Sequence, residues 1–359
     1  MLCQAINTLA DKLSPHIKLG KSRLETLCFL VAGMASARRV NLSHLACEMP
    51  GEAQINSNYR RLRRFFQHVN LGPDWSARLV VDLLGLTGPW YLCLDRTNWK
   101  IGRRDVNFLV LAIATQRFRV PLMWTVLDRA GNSNTDERIA LMKRFLALFD
   151  VTKIKFLLAD REFIGFKWMG FLIENNIPFA IRVKENQSVV TEEGRAVLLK
   201  SLLRKRRAKR QFQAAFPERD GQGALQLNFA FRRIKSGELL IVASNVGACN
   251  ALNAYRKRWA IECLFGDAKT RGLNLEDTRL LIPEKLSLLL ALVALAIAWA
   301  SKTASITIGC GEIKRKKHGY RAKSWFRTGL DLLRRLLRTD PIRAVAPWLK
   351  IKATRGRVV

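Results

Sequence analysis

Three carboxylates, and the residues around them, are the part of this chain best suited to chemistry. Asp95 and Asp160 each follow a short apolar run, Trp90-Tyr-Leu-Cys-Leu and Ile154-Lys-Phe-Leu-Leu-Ala. Runs of that length and kind read as strands, so each acid is expected at a strand's C-terminal end. If the strands are neighbours, both carboxylates leave the sheet at one edge and can share a cation. Taken singly, an Asp there is as readily a turn former or a helix cap. Glu262 supplies the third acid. Tyr255, Arg258, Glu262 and Lys269 sit at offsets of 0, 3, 7 and 14. At about 100° per residue they form a stripe roughly 60° wide on one helix. Leu252, Trp259, Ala260, Ile261, Cys263, Leu264 and Phe265 fill the rest of its circumference. That inverts the pattern of a solvent-facing helix and points to a buried one whose polar stripe lines a cleft. An Arg258–Glu262 ion pair at i, i+4, worth a few tenths of a kcal/mol, is the simpler reading. It accounts for neither Tyr255 nor Lys269.

The elements that must position these acids form an α/β pattern. Residues 1–88 read as helical. Asn41 caps a helix from Leu42 that Pro50-Gly51 closes, and a second starts near Asn56 or Ser57. On that second helix Tyr59, Leu62, Phe66 and Val69 make one apolar face, while Arg60, Arg61, Arg63 and Arg64 project elsewhere. Two short helices, the second rich in arginine, suggest a helix-turn-helix-like DNA reader; an ordinary helical subdomain with a solvated basic face is the alternative. From Trp90 the period changes. Strands are expected over Phe108–Thr115 and Val120–Leu127, joined by a hairpin at Gln116–Arg119, and over Pro178–Val183. Helices are expected from Asn134 or Thr135 to Phe149 and near 164–175. Strands followed by helices, with acids at strand ends, indicate a mixed sheet. Residues 184–247 look like a β-rich insertion, with alternation at Leu225–Phe231 and Glu238–Ala243 and seven basic residues between Lys200 and Arg210. Helix returns over 251–269, Pro283–Ala300 and Ser324–Arg338. The expected division is 1–88, a core at 89–303, and a basic helical tail at 304–359. The tail's apolar face around Leu330 to Leu337 suits either a second copy or the chain's own core.

Charge narrows the partners. Against 62 Lys and Arg stand 29 Asp and Glu, a net charge of +33. A folded chain this positive repels itself unless a polyanion neutralises it, which favours nucleic acid. Charge alone also allows a binder without chemistry. The seven cysteines are scattered, with no CxxC pair, so reduced, mostly buried thiols and a cytoplasmic location are expected. No signal peptide is recognisable. The apolar stretch Leu286–Ala300 covers 15 residues, short of the roughly 20 that span a membrane, so a core helix and no membrane are expected. Gly20-Lys21-Ser22 lacks the upstream glycine of a phosphate loop, and ATP is not expected.

Tyr255-x2-Arg258-x3-Glu262-x6-Lys269 resembles, without a gap, the Y-R-E-K signature of bacterial transposases of insertion-sequence family 4. Leu-Asp95-Arg-Thr-Asn-Trp and Ala-Asp160-Arg-Glu-Phe-Ile-Gly resemble that family's two aspartate motifs. The resemblance runs over roughly 40 to 340. It implies a ribonuclease-H-like catalytic core with a β-rich insertion, a helical DNA-binding region before it and a helical tail after it. It implies Asp95, Asp160 and Glu262 as catalytic ligands of two Mg²⁺ ions, with Mn²⁺ as substitute; hard oxygen donors suit both. Tyr255, Arg258 and Lys269 would hold terminal phosphates, and Arg60, Arg61, Arg63 and Arg64 would read the terminal inverted repeats. The partners implied are double-stranded DNA, both element ends and target, and a second copy of the chain on paired ends. Some relatives stack a flipped base on a tryptophan in the insertion; this chain has none between 168 and 259, which leaves Phe212, Phe216, Phe229 or Phe231, or a different processing of the flanking ends. The alternatives are another ribonuclease-H-like nuclease and a catalytically silent DNA-binding protein.

Overall fold

The computed structural model describes residues 2–204, 211–217, 224–234, 237–317, 319–349 and 351. Most of the basic run ending at Arg210 and the last residues of the tail lie outside them. One sheet organises the middle of the chain. Its strands are β1 (Trp90–Ile101), β2 (Arg104–Ala114), β3 (Arg119–Leu127), β4 (Ile154–Ala159), β5 (Phe179–Val183), β6 (Ser188–Val190), β7 (Ala196–Leu198), β8 (Gln211–Phe216), β9 (Leu225–Arg233) and β10 (Leu239–Ser244). Their order is β3-β2-β1-β4-β5-β10-β9-β8-β6-β7 among the described residues. β1, β4 and β5 are parallel; the other neighbours pair antiparallel. The β-rich segment after β5 therefore extends the main sheet through the β5–β10 pairing and is not a separate sheet. The first five strands in this order are compatible with the ribonuclease-H-like core that the motifs imply.

Helices cover the sheet and build the two ends. Before it come α1 (Leu2–Leu13), α2 (Lys21–Ala37), α3 (Leu42–Glu48), α4 (Ile55–His68) and α5 (Trp75–Leu84). Between strands lie α6 (Thr135–Leu148), α7 (Phe166–Glu174) and α8 (Leu199–Arg204). After it follow α9 (Ala248–Tyr255), α10 (Trp259–Ala268), α11 (Pro283–Ile308), α12 (Trp325–Thr339) and α13 (Pro341–Leu349). Local chemistry fixes several starts. Asn41 accepts from Ser43 N to open α3, and Asn134 with Glu137 forms a complete capping box on α6.

The pillar of the packing is α11. It is apolar on all sides, and it touches α2, α4, α5, β3, α12 and α13. By length and composition it could cross a membrane, but 89% of its most apolar window is buried inside the protein. A helix apolar all round needs such a jacket. One hydrophobic cluster runs from Ala5 through the sheet to Trp348 and crosses the expected boundaries at 88 and 303; a small second one gathers Ala304, Ile313 and Trp325. The apolar face of α12 belongs to the first cluster: Leu330, Leu333 and Leu337 are buried against the chain itself. That face is unavailable to a second copy.

Three further expectations change. Asp95 lies inside β1, which continues to Ile101 because β2 pairs with it all the way to Arg104. The continuation is legible as alternation, with Thr97 and Trp99 buried and Asn98 and Lys100 exposed. The helix expected over 251–269 is interrupted by a 3₁₀ turn at Arg256–Arg258. Of the described cysteines, Cys3, Cys47 and Cys310 are exposed and only Cys28 and Cys93 are buried.

Two sites set tests of this packing. At the α11–α12 crossing, a Cβ on Gly329 would stand 1.7 Å from Ala300 O. Helix propensity alone makes Gly→Ala a gain of about 1 kcal/mol; here overpacking reverses the sign. Gly329→Ala should cost about 2–3 kcal/mol in urea unfolding, and a stabilised variant would show that the helices do not cross so closely. Asp267 on α10 is buried and pushed up to about 6, first by burial, with Arg119 and Arg271 opposing. The unfolded value is about 3.9, so the folded chain favours the protonated form. Its contribution is present below about pH 4 and lost as pH rises through 6. Asp267→Asn should thus add about 2–3 kcal/mol at pH 7 and little at pH 4; equal effects at both would contradict it.

Candidate active site

The parallel register of β1 on β4 ends at Leu94 opposite Ala159. Asp95 and Asp160 are the next residue on each strand, so the sheet itself sets them side by side. Glu262 comes from the first turn of α10, after the 3₁₀ turn. In a 3₁₀ turn residues i and i+3 eclipse, which stacks Arg258 over Tyr255 at 5.6 Å from the ring centroid. Both then face the acids. Tyr255 Oη donates to Asp160 Oδ1 at 3.2 Å. Arg258 Nη2 donates to Glu262 Oε1 at 2.5 Å, and its Nη1 lies 3.7 Å from Asp95 Oδ2. The i, i+4 ion pair is therefore real, and it is only one side of a larger cluster.

The electrostatics follow from burial. Asp95 is pushed up to about 6, mainly by burial, with Glu162 and Asp160 adding and the Arg96 backbone N–H and Arg258 opposing. Burial alone would weaken the Arg258 charge; Asp160 and Glu262 oppose that, and the pKa of Arg258 stands above the usual value. Burial raises the Tyr255 phenol, which stays a neutral donor at physiological pH. Arg258 thus acts as a stand-in cation among three carboxylates. Among the described residues no three His, Cys, Asp or Glu side chains stand close enough to share one ion. The donors fit a hard divalent cation in kind, and such an ion would compete with the guanidinium for the same oxygens.

Lys269 lies elsewhere. The helix ends at Ala268, and Lys269 as its cap donates to Asn98 O at 3.0 Å and pairs with Glu276 at 2.9 Å. It pins the end of α10 to β1, so the helical arithmetic that put it on the Glu262 stripe does not extend that far. Trp259, expected inside, is 62% exposed. Phe216 and Phe229 are buried and stack together in the extended sheet, with Phe212 on Phe229; Phe231 is half-buried.

The arginines of α4 divide. Arg61, though exposed, is tied to α2, donating to Thr26 Oγ1 at 3.0 Å and Ser22 O at 3.2 Å and pairing with Glu25. Arg60, Arg63 and Arg64 are exposed. Arg63 and Tyr59 line a cavity of about 990 Å³ together with Arg104, Arg279 and Lys285 from the sheet side. None of these four cations makes an ion pair among the described residues.

A clamp beside the acids was not anticipated. Arg96 holds Glu162 with two bonds, Nε to Oε1 at 2.8 Å and Nη2 to Oε2 at 3.0 Å. It also donates to Gly131 O and Asn132 Oδ1. Buried Arg138 donates to Glu162 O and lies over Phe163. Arg96 follows Asp95 and Glu162 is two residues past Asp160, so the bidentate pair locks the two acid-bearing segments together. Both residues stood in the sequence motifs, but only the β1–β4 register brings them into reach.

A family model described as a transposase DDE domain matches residues 87–299. The chain belongs to that family. It is a DDE transposase, an enzyme of DNA cleavage and strand transfer whose substrate is DNA. No curated protein matches it. The matched span starts just before β1 and ends inside α11, so it contains all three acids and the clamp. In this transposase the clamp should show as energetic coupling. A double-mutant cycle of Arg96→Met and Glu162→Gln in denaturant should give about 1.5–3 kcal/mol of interaction. Additive losses would mean that the pair does not join the segments.

Proposed function

We propose that this DDE transposase belongs to insertion-sequence family 4, binds the terminal inverted repeats of its element, and catalyses cut-and-paste transposition at Asp95, Asp160 and Glu262. The observation that carries this is one half-buried guanidinium set between Asp95 of β1 and Glu262 of α10, within the field of the neighbouring Asp160. Like charges gathered so closely require a cation, and a site that already accommodates one suits hard divalent ions. Mg²⁺ or Mn²⁺ held by the three carboxylates would supply an activated attacking oxygen and a stabilised leaving oxygen. The chain's own groups do the rest. Arg258, released from Asp95 and Glu262, offers a planar fork for phosphate oxygens of the cleaved strand. Tyr255 keeps Asp160 oriented through its hydroxyl, and Lys269 keeps α10 seated on β1. The Arg96–Glu162 clamp holds both aspartates in place through the reaction. Exposed Trp259, next to Arg258, gives a base a face to stack on.

The terminal repeats would lie along α4, with Arg60, Arg63 and Arg64 meeting DNA and Arg61 bracing the helix. Arg104, Arg279 and Lys285 would contact the same duplex from the catalytic side, so recognition and cleavage share one continuous surface. Joining two ends to one target calls for two active sites, and a homodimer on paired ends is the assembly we infer.

The test combines purified chain, Mg²⁺ and a labelled duplex from the DNA flanking its gene. Asp95→Asn, Asp160→Asn and Glu262→Gln should each slow cleavage by about 10³-fold or more. Each should leave binding within about threefold, because phosphate contacts elsewhere dominate affinity. Cleavage at the unsubstituted rate by any of the three would remove that residue from the site.

A further inference from the structure

A second basic cavity, of about 620 Å³, has no role in the reading above. Its walls are the turn before β3, the far side of α10, the segment between α11 and α12, and the first turn of α12. Arg117, Arg119, Arg271, Arg315, Arg321 and Lys323 line it; Arg315 pairs with Glu312 and Lys323 with Asp331, and the other four make no ion pair among the described residues. The one acid in its described lining is Asp267. Two of these four are held in place. Arg117 lies 4.9 Å over the Trp325 ring and reaches Ser305 Oγ at 3.4 Å. Arg271 crosses Gly266 so closely that a Cβ there would stand 1.8 Å from its Nη2.

Five guanidinium groups and an ammonium around one concavity repel one another, and the single buried carboxylate in its described lining does not balance the four arginines that lack an ion pair. Fixed forks around a concave site suit phosphate oxygens, which they can meet with paired charge-assisted bonds. The cavity is also linked to the acids. α10 carries Glu262 in its first turn and Asp267 five residues on, about 7–8 Å along the axis. One helix thus separates the two sites.

We propose that this cavity binds the phosphodiester backbone of DNA, at a place distinct from the strand cleaved at the three acids. The inference rests on the reading of those acids as the cleavage site. Two sources share that chemistry: the element's own end beyond the cleaved bond, and a separate target duplex.

The experiment uses the full chain with Arg119→Gln/Arg321→Gln, and Lys12→Gln/Lys143→Gln as a control with the same loss of charge at exposed sites elsewhere. Binding of a labelled end duplex is followed across salt, then cleavage and transfer into plasmid in Mg²⁺. If the cavity holds target DNA, transfer falls about tenfold or more while end binding and cleavage stay within about twofold. If it holds the element's end, binding falls about tenfold and the salt slope becomes shallower by about two. The control changes neither. A cavity variant that melts, binds, cleaves and transfers like the control would overturn the proposal. Failure of the unsubstituted chain to cleave would count against the cleavage site instead. The salt slope on arbitrary duplex would still report on the cavity, since a slope equal to the control's excludes contact with DNA there.

Discussion

Carboxylates do not gather in a half-buried cleft of their own accord. Each loses hydration there and each repels the others, and Asp95 shows the strain as a raised affinity for protons. Arg258 resolves the conflict by placing a delocalised positive charge between Asp95 and Glu262 and within the field of Asp160. Much of the surrounding architecture serves that arrangement. The 3₁₀ turn at Arg256–Arg258 aims the guanidinium, and Tyr255 beneath it occupies Asp160. The same balance makes the site responsive: a cation supplied to the acids competes with Arg258 for their oxygens, and its removal leaves them to Arg258.

The sheet gives this cluster its precision. Parallel pairing of β1 with β4 sets Asp95 beside Asp160 without help from any loop. Beyond that point β1 leaves β4 and continues with β2 alone, which opens the cleft that Glu262 enters from α10. Arg96 and Glu162 close the seam from the other side. Rigid strands, a bidentate ion pair and a pinned helix end therefore converge on three oxygen-bearing groups, the kind of support on which geometry-sensitive catalysis depends.

Much of this was legible in the residues. Apolar runs located β1 and β4, and the spacing of Tyr255, Arg258 and Glu262 identified the cleft-facing side because short-range periodicity survives a single tightened turn. Lys269 escaped the same arithmetic because the helix ends one residue before it. Trp259 escaped because hydrophobicity does not reveal which side of a helix lacks a partner. The Arg96–Glu162 clamp and the basic cavities depend on strand register and on segments far apart in the chain, and no local pattern encodes those. Arg61 looked like its three neighbours, yet its face of α4 meets α2.

The central position of α11 also shapes how the chain comes into being. The N-terminal helices α2, α4 and α5 bury their apolar sides against a helix made some two hundred residues later. During synthesis those surfaces wait uncovered, a state in which chains are prone to stick to one another. A gene copy interrupted just before residue 283 would encode every N-terminal arginine and all three acids, but no pillar to close around. Its product would be left with an open apolar wall and would be a substrate for degradation. Truncated copies are thereby kept from supplying a folded product that competes with the intact transposase for DNA.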